Sequence, residues 1–344
     1  MRSYVSRLTA LTLTATLGLL AASPGAVRGE ENWPQWRGPH YNGSSGAKNL
    51  PERFGKGENL LWSTPMPGLS NGTPIVWGDR VFVTAVESES KKLLAVCVGR
   101  KDGKVLWQKD VGIGFAAKGE NNMATPSPVT DGKTVWFLFG TGDLAAFDMD
   151  GRPVWRRNLQ NELGQWNINW IYGSSPTLHG GKLYVQVLHA VSTYDYQTSL
   201  PNAKKAPPES YLLALDPATG KDIWRHVRAD EAQGETKESY ATPIPVKTAD
   251  GREILVLIGG DAVTAHDPGT GAELWRYTGW NPQKITHWRL VPSVVAGGGV
   301  ILACAPKRGP VMALREADGK EAWVSDPRQL TSDVCVPLFY KDRF

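Results

Sequence analysis

Ala214-Leu215-Asp216-Pro217-Ala218-Thr219-Gly220-Lys221-Asp222-Ile223-Trp224 carries the reading of the fold. An apolar run ends on a small residue, an Asp- and Thr-bearing turn closes on glycine, and a Trp follows four residues later. The same glycine-to-Trp step recurs at Gly103/Trp107, Gly151/Trp155, Gly271/Trp275 and Gly319/Trp323. An apolar-x-Ala element lies upstream, as at Leu93/Ala95, Leu144/Ala146, Leu212/Ala214 and Val263/Ala265. Trp62 has the same outer-strand character without the preceding half. Successive Trp spacings from Trp62 are 45, 48, 69, 51 and 48 residues, one unit of about 50 with an insertion in the third.

A second mark recurs out of phase with the first. Thr73-Pro74, Thr125-Pro126, Ser175-Pro176, Thr242-Pro243, Val291-Pro292 and Val336-Pro337 each open a short apolar run. A turn follows, as at Gly78-Asp79, Asp131-Gly132, Gly180-Gly181, Asp250-Gly251, Gly297-Gly298 and Lys341-Asp342, and then a second apolar run. Each unit reads as four antiparallel strands, so the fold is all-β, a β-propeller of four-stranded blades with five complete blades. Pro has no N–H and suits the first residue of an innermost strand, whose free edge faces a central channel. Gly accepts positive φ in the third turn, where Asp216 and Asp267 cap the backbone. Trp107, Trp155, Trp224, Trp275 and Trp323 fill the wedges between blades, each burying about 150–250 Å². Pro337 opens a sixth unit that Phe344 cuts short. Completing the ring takes seven or eight blades, so the sequence reads as C-terminally truncated.

The rest of the chain bounds the function. Gly and Pro number 37 and 24 among 344 residues, a density of turn residues that excludes a helical bundle. The net charge of +4 includes Arg2, Arg7 and Arg28, and falls to about +1 without them. No basic run is left to bind nucleic acid. Residues 1–29 read as a signal peptide: Arg2 and Arg7 lead an apolar core from Leu8 to Ala22, with cleavage after Ala26 or Gly29. An uncleaved anchor is the alternative, and export to the periplasm or the extracellular space follows from both. Residues 30–59 are expected to be an extended segment and 60–344 the propeller, with no transmembrane span after the signal peptide. Cys97, Cys304 and Cys335 show no C-x-x-C spacing; they are expected as buried thiols, with a Cys304–Cys335 bridge as the alternative.

The Ala-x-Asp-x-x-Thr-Gly-x-x-x-Trp pattern resembles the repeat of pyrroloquinoline quinone (PQQ)-type β-propellers. That superfamily includes quinoprotein dehydrogenases and the outer-membrane assembly factor BamB. Asn32-Trp33-Pro34-Gln35-Trp36-Arg37-Gly38-Pro39 also resembles the opening of exported PQQ-like repeat proteins. The resemblance covers roughly residues 33 to 344. Against the repeat, the first unit has two extra residues between Ala95 and Trp107 and no matching Asp, and the fifth has Arg315 in the Asp position.

Loops entering the innermost strands share one face of a propeller, and that face is the expected ligand or partner surface. Its candidates are Asn122, Asn167, Asn169, Trp170, Tyr172, Tyr240, His287, Arg289 and Asp333, a set suited to a planar or sugar-like ligand. The insertion from Leu188 to Ser210 adds His189, Tyr194, Asp195 and Tyr196. Gly68-Leu69-Ser70-Asn71-Gly72 matches G-x-S-x-G, but it precedes a Pro-led strand instead of a strand-to-helix elbow. Asp148-x-Asp150-Gly151 begins like a calcium loop and lacks its later ligands. No His/Asp/Glu spacing marks a catalytic metal. The expected role is therefore an exported, non-catalytic binding or scaffold module for an envelope protein or small ligand, with no cofactor. Similarity to BamB implies outer-membrane protein assembly, although no lipid-acceptor cysteine precedes Cys97. The alternative is a PQQ-dependent alcohol or sugar dehydrogenase with calcium. Relatives of that kind often carry two adjacent cysteines and a carboxylate-rich site, whereas the carboxylates here (Glu120, Asp195, Glu238, Asp333) are scattered.

Overall fold

A computed structural model describes residues 32–48, 50–115, 117–188 and 209–344. The expected signal peptide and the inserted His189–Tyr196 stretch lie outside these residues. Five antiparallel sheets follow one another along the chain, each a meander of four strands in sequence order with one short added pairing in the first. Their innermost strands are Ile75–Trp77, Val129–Thr130, Thr177–His179, Ile244–Lys247 and Val295–Gly297. Their outer strands are Val105–Ile113, Pro153–Asn158, Asp222–Val227, Glu273–Tyr277 and Glu321–Val324. The expected propeller of four-stranded blades is the observed architecture. After the fifth sheet, Tyr340 and Arg343 bridge across Lys341 and Asp342, both at positive φ as a type I′ turn requires.

The glycine-to-Trp step has one geometric cause at every seam. Ala146, Ala214, Ala265 and Ala313 stand opposite Trp155, Trp224, Trp275 and Trp323, each followed by a bulge. In the first blade Cys97, not Ala95, stands opposite Trp107, which restores the ten-residue step and removes the two apparent extra residues. Each turn glycine has positive φ, from 69° to 79°. Each also lies flat beneath the Trp of the preceding unit. A Cβ on Gly103, Gly151, Gly220, Gly271 or Gly319 would fall 2.3–2.8 Å from the ring of Trp62, Trp107, Trp155, Trp224 or Trp275, respectively. The indole N–H then reaches a carbonyl of the same turn: Arg100 at 2.7 Å, Met149 at 2.9 Å, Pro217 at 2.8 Å and Glu316 at 3.2 Å. Trp224 is the exception: the Tyr184 hydroxyl donates to the equivalent Pro268 carbonyl at 2.9 Å, and Trp224 Nε1 is buried without a partner among the described residues. Among the described residues no turn glycine lies against Trp323, which is 42% exposed.

Gly271→Ala should therefore cost more than its backbone strain alone, about 3 kcal/mol from positive φ plus collision with the Trp224 ring. Gly251 has φ of 86° and open space around its Cβ position, so Gly251→Ala should cost only about 1 kcal/mol. Urea titration of both variants checks the difference; equal costs would mean the ring contact is immaterial.

At the axis a second seam joins the blades. The Thr73 N–H donates to Ser127 Oγ at 2.9 Å, Ser127 N–H to Ser175 Oγ at 3.0 Å, Ser175 N–H to Thr242 Oγ1 at 3.0 Å, and Thr242 N–H to Ser293 Oγ at 2.8 Å. Each of these hydroxyl residues precedes its innermost strand by two positions. Ser127 and Ser293 hold that place, so the Thr125-Pro126 and Val291-Pro292 marks sit two residues too early. The turn in the fifth blade is likewise Gly298-Gly299. All three cysteines are free thiols, Cys97 and Cys304 buried and Cys335 exposed.

The opening segment crosses the axis. Trp33 exchanges two backbone hydrogen bonds with Val76 at 2.8 Å, and the Pro34 carbonyl accepts from Thr130 N–H at 2.9 Å. Tyr41 donates to the Leu178 carbonyl, and Arg37 to the carbonyls of Asn42 and Pro337. Trp36 and Tyr41 pack on the core shared by the fourth and fifth sheets. Residues 32–44 thus bind the inner strands of the first three blades and the start of the sixth unit.

Candidate ligand-binding site

A cavity of about 440 Å³ opens where these elements meet. Trp36 lines it from the axial segment. Asn71, Asn121, Trp170, Tyr240, Arg289 and Val334 line it from the loops entering the blades, so all of the entering loops and the sixth unit contribute. Deeper in, the wall consists of the hydroxyl residues Thr125, Ser127, Ser175, Thr242 and Ser293.

One polar network holds the aromatic side of the mouth. The Arg289 guanidinium stacks over the Trp170 ring at 4.9 Å and donates to Glu235 Oε2 at 3.1 Å. Glu235 also accepts from the Asn169 side-chain amide. Behind it Glu238 is fully buried, its Oε2 accepting from Asn169 N–H at 3.1 Å and from the Tyr240 hydroxyl at 2.7 Å. The Tyr240 oxygen in turn accepts from Trp170 N–H at 3.0 Å. Burial pushes the Glu238 carboxyl up to about 7 despite those two donors, and its Oε1 is buried without a partner. Burial and the neighbouring Glu238 raise the Tyr240 phenol well above its ordinary range. Tyr240 is thus a neutral donor that fixes the Trp170 loop.

The nine residues expected on this face divide. Trp170, Tyr240 and Arg289 line the cavity. Asn169 is buried beneath it in the Glu235–Glu238 network, and Asn122 is buried beside it, donating to Asn71 Oδ1 at 3.0 Å and accepting from Ala124 N–H at 2.9 Å. Asn167 is half-buried and off the wall. Tyr172 belongs to the core: its ring packs on Trp166 at 4.3 Å, its hydroxyl donates to the Gln186 carbonyl at 2.7 Å, and burial lifts its phenol far above the usual range. His287 is exposed off the wall. Asp333 is also exposed and accepts from Lys307 N–H at 2.8 Å. Trp36, Asn71, Asn121 and the hydroxyl residues were absent from the expectation. The recurring hydroxyl two positions before each inner strand was the available signal for the last of these.

Calcium takes six to eight oxygen ligands, with carboxylates prominent among them. Among the described residues the cavity wall carries no carboxylate; nearby Glu235 is held by Arg289 and Asn169, and Glu238, through Oε2 alone, by Asn169 and Tyr240. The donor set does not fit a calcium-bound quinone. A separate group, His226, His266 and Glu273, brings its ligand atoms within 4.8 Å of one another. There His266 Nδ1 meets the Gly271 carbonyl at 3.1 Å and Nε2 the Thr264 hydroxyl at 3.0 Å, while Arg276 holds both Glu273 oxygens at 2.6–2.8 Å.

Residues 56–211 and 208–338 match the family described as outer membrane protein assembly factor BamB. The chain belongs to this PQQ-like repeat β-propeller family. A polyvinylalcohol dehydrogenase of Sphingopyxis sp. (strain 113P3) is 25% identical over 248 residues, which are 63% of this chain and 34% of that protein. The chain therefore spans about a third of that relative's length. Among solved structures, the quinohemoprotein alcohol dehydrogenase of Comamonas testosteroni superposes with a TM-score of 0.59 at 16% identity, covering 86% of this chain and 49% of that one. BamB of Moraxella catarrhalis superposes at 0.50 with 17% identity, covering 79% and 67%. At these identities the two structures speak for the propeller alone. Among the described residues, no helix is long and apolar enough to cross a membrane.

Proposed function

We propose that this BamB-family chain is an exported, non-catalytic binding propeller whose axial cavity receives a small ligand, with the surrounding loop face open to an envelope partner. The observation that carries this reading is the cavity wall: two indoles, aliphatic side chains, an arginine, amides and hydroxyls, with no carboxylate among the described residues to hold calcium or act as a base. Arg2, Arg7 and the apolar run to Ala22 support export.

The second reading, a PQQ-dependent dehydrogenase of alcohols or sugars, is favoured by the polyvinylalcohol dehydrogenase similarity. The two are separated by calorimetric titration of the protein with PQQ and Ca²⁺. No saturable heat is expected. One-to-one binding at micromolar or better would overturn the non-catalytic reading and make dye-linked oxidation of alcohols the next assay.

A further inference from the structure

The hydroxyl ring says which ligand the cavity suits. Ser127, Ser175, Thr242 and Ser293 come from four different blades, and each is more than nine-tenths buried. Each oxygen already accepts a neighbouring blade's N–H. A hydroxyl that accepts still has its own proton to give, and none of these four protons has an acceptor among the described residues. All four residues line the cavity. Arg289 adds a cation on the same wall: its Nη1 is committed to Glu235, which leaves the rest of the guanidinium fork for another acceptor. The wall is thus rich in donors and carries one cation, part of whose fork is paired with Glu235, while none of its described residues is an anion.

Ile171, Val291, Val334 and Val336 add apolar surface, and Trp36 and Trp170 supply its aromatic part. Indole faces pack well on the C–H face of a pyranose ring, whereas several separate hydroxyl donors ask for several ligand oxygens. We infer that the cavity binds a sugar acid, a pyranose with one carboxylate, whose oxygens take the hydroxyl protons of the ring and whose carboxylate pairs with Arg289. This rests on the reading of the cavity as a ligand site and adds the class of ligand.

The probes are D-glucuronate and D-glucose, which differ at the carboxylate, titrated calorimetrically and by tryptophan fluorescence. Glucuronate is expected to bind at one site at least tenfold more tightly than glucose. Arg289→Gln should abolish the preference, so that this variant binds glucuronate no more tightly than it binds glucose, and Arg289→Lys should keep part of the preference. Unchanged thermal melting would show that both variants fold. Equal affinity for the two sugars, a preference that survives Arg289→Gln, or silence toward both sugars would overturn the inference. Silence toward PQQ and calcium alongside silence toward the sugars would leave the non-catalytic reading standing, so the two failures are distinguishable.

Discussion

Arg228→Ala should lower the unfolding free energy by about 3–5 kcal/mol, enough to remove a large part of the stability of a typical domain. Arg228 follows the outer strand of the third blade and is 2% exposed. Its Nε donates to Thr264 Oγ1 at 3.0 Å, Nη1 to the Gly259 carbonyl at 2.7 Å and Nη2 to the Ala262 carbonyl at 2.8 Å. These acceptors flank the hairpin turn at the centre of the fourth blade, so one planar fork latches two blades together. Among the described residues no carboxylate pairs with it. Burial accordingly pulls the guanidinium down to about 10, still protonated at neutral pH. Truncation would remove the charge and strand two carbonyls and a hydroxyl in a buried space, each costing about 1–3 kcal/mol when left unmade. Arg228→Lys keeps the charge but cannot meet three acceptors in one plane, and should lose roughly half as much. Arg152 is the control, since its ion pair with Asp148 is largely exposed and worth under about 1 kcal/mol. Urea unfolding of the three variants decides the matter, and an Arg228→Ala cost as small as that of Arg152→Ala would sink the latch.

The propeller was legible because a short local motif meets one spatial requirement at every seam. Positive φ alone explains a turn glycine, and it conceals that the same glycine must lie flat under a Trp from some 40–65 residues earlier. Cys97 escaped notice because the small-residue position tolerates a thiol as well as a methyl group. Prolines at Pro126 and Pro292 drew attention two residues ahead of Ser127 and Ser293, since a proline is visible in sequence and a backbone N–H finding a hydroxyl is not. At the site, the loops were identifiable while the facing of their side chains was not. Trp170 and Tyr172 are two residues apart in an irregular loop, and one lines the cavity while the other enters the core. Arg228 lies past the end of a repeat and has no counterpart in the other units, so no pattern flagged it.

The seam that Arg228 latches should also make the protein acid-sensitive, in a way that wild-type measurements alone conceal. His226 and His266 meet edge to face at 4.8 Å beside that arginine. Burial lowers His266 to about 4, and burial lowers His226 as well. A group whose folded pKa lies below its unfolded value binds fewer protons when folded. Its contribution is complete above the unfolded pKa of about 6.5 and is lost as pH falls toward 4, up to roughly 3 kcal/mol for His266. Glu238 has the opposite sign. Burial raises it to about 7, so it binds a proton in the folded state before the unfolded chain does, and stability grows as pH falls from about 7 toward 4.5. The two slopes oppose each other between about pH 4.5 and 6.5, with Asp261, also raised by burial, on the side of Glu238, which flattens the wild-type profile. Asp216 and Asp267, held below the carboxylate range chiefly by the Thr hydroxyls of their turns, act only below that window. Glu238→Gln removes one compensating group without altering the seam. It should match or exceed wild-type stability above pH 7, then lose roughly 3 kcal/mol between pH 6.5 and 4 as the histidines take up protons. Denaturant unfolding at half-unit steps of pH would show this, and a profile for Glu238→Gln as flat as wild type would mean that His266 titrates normally in the folded protein.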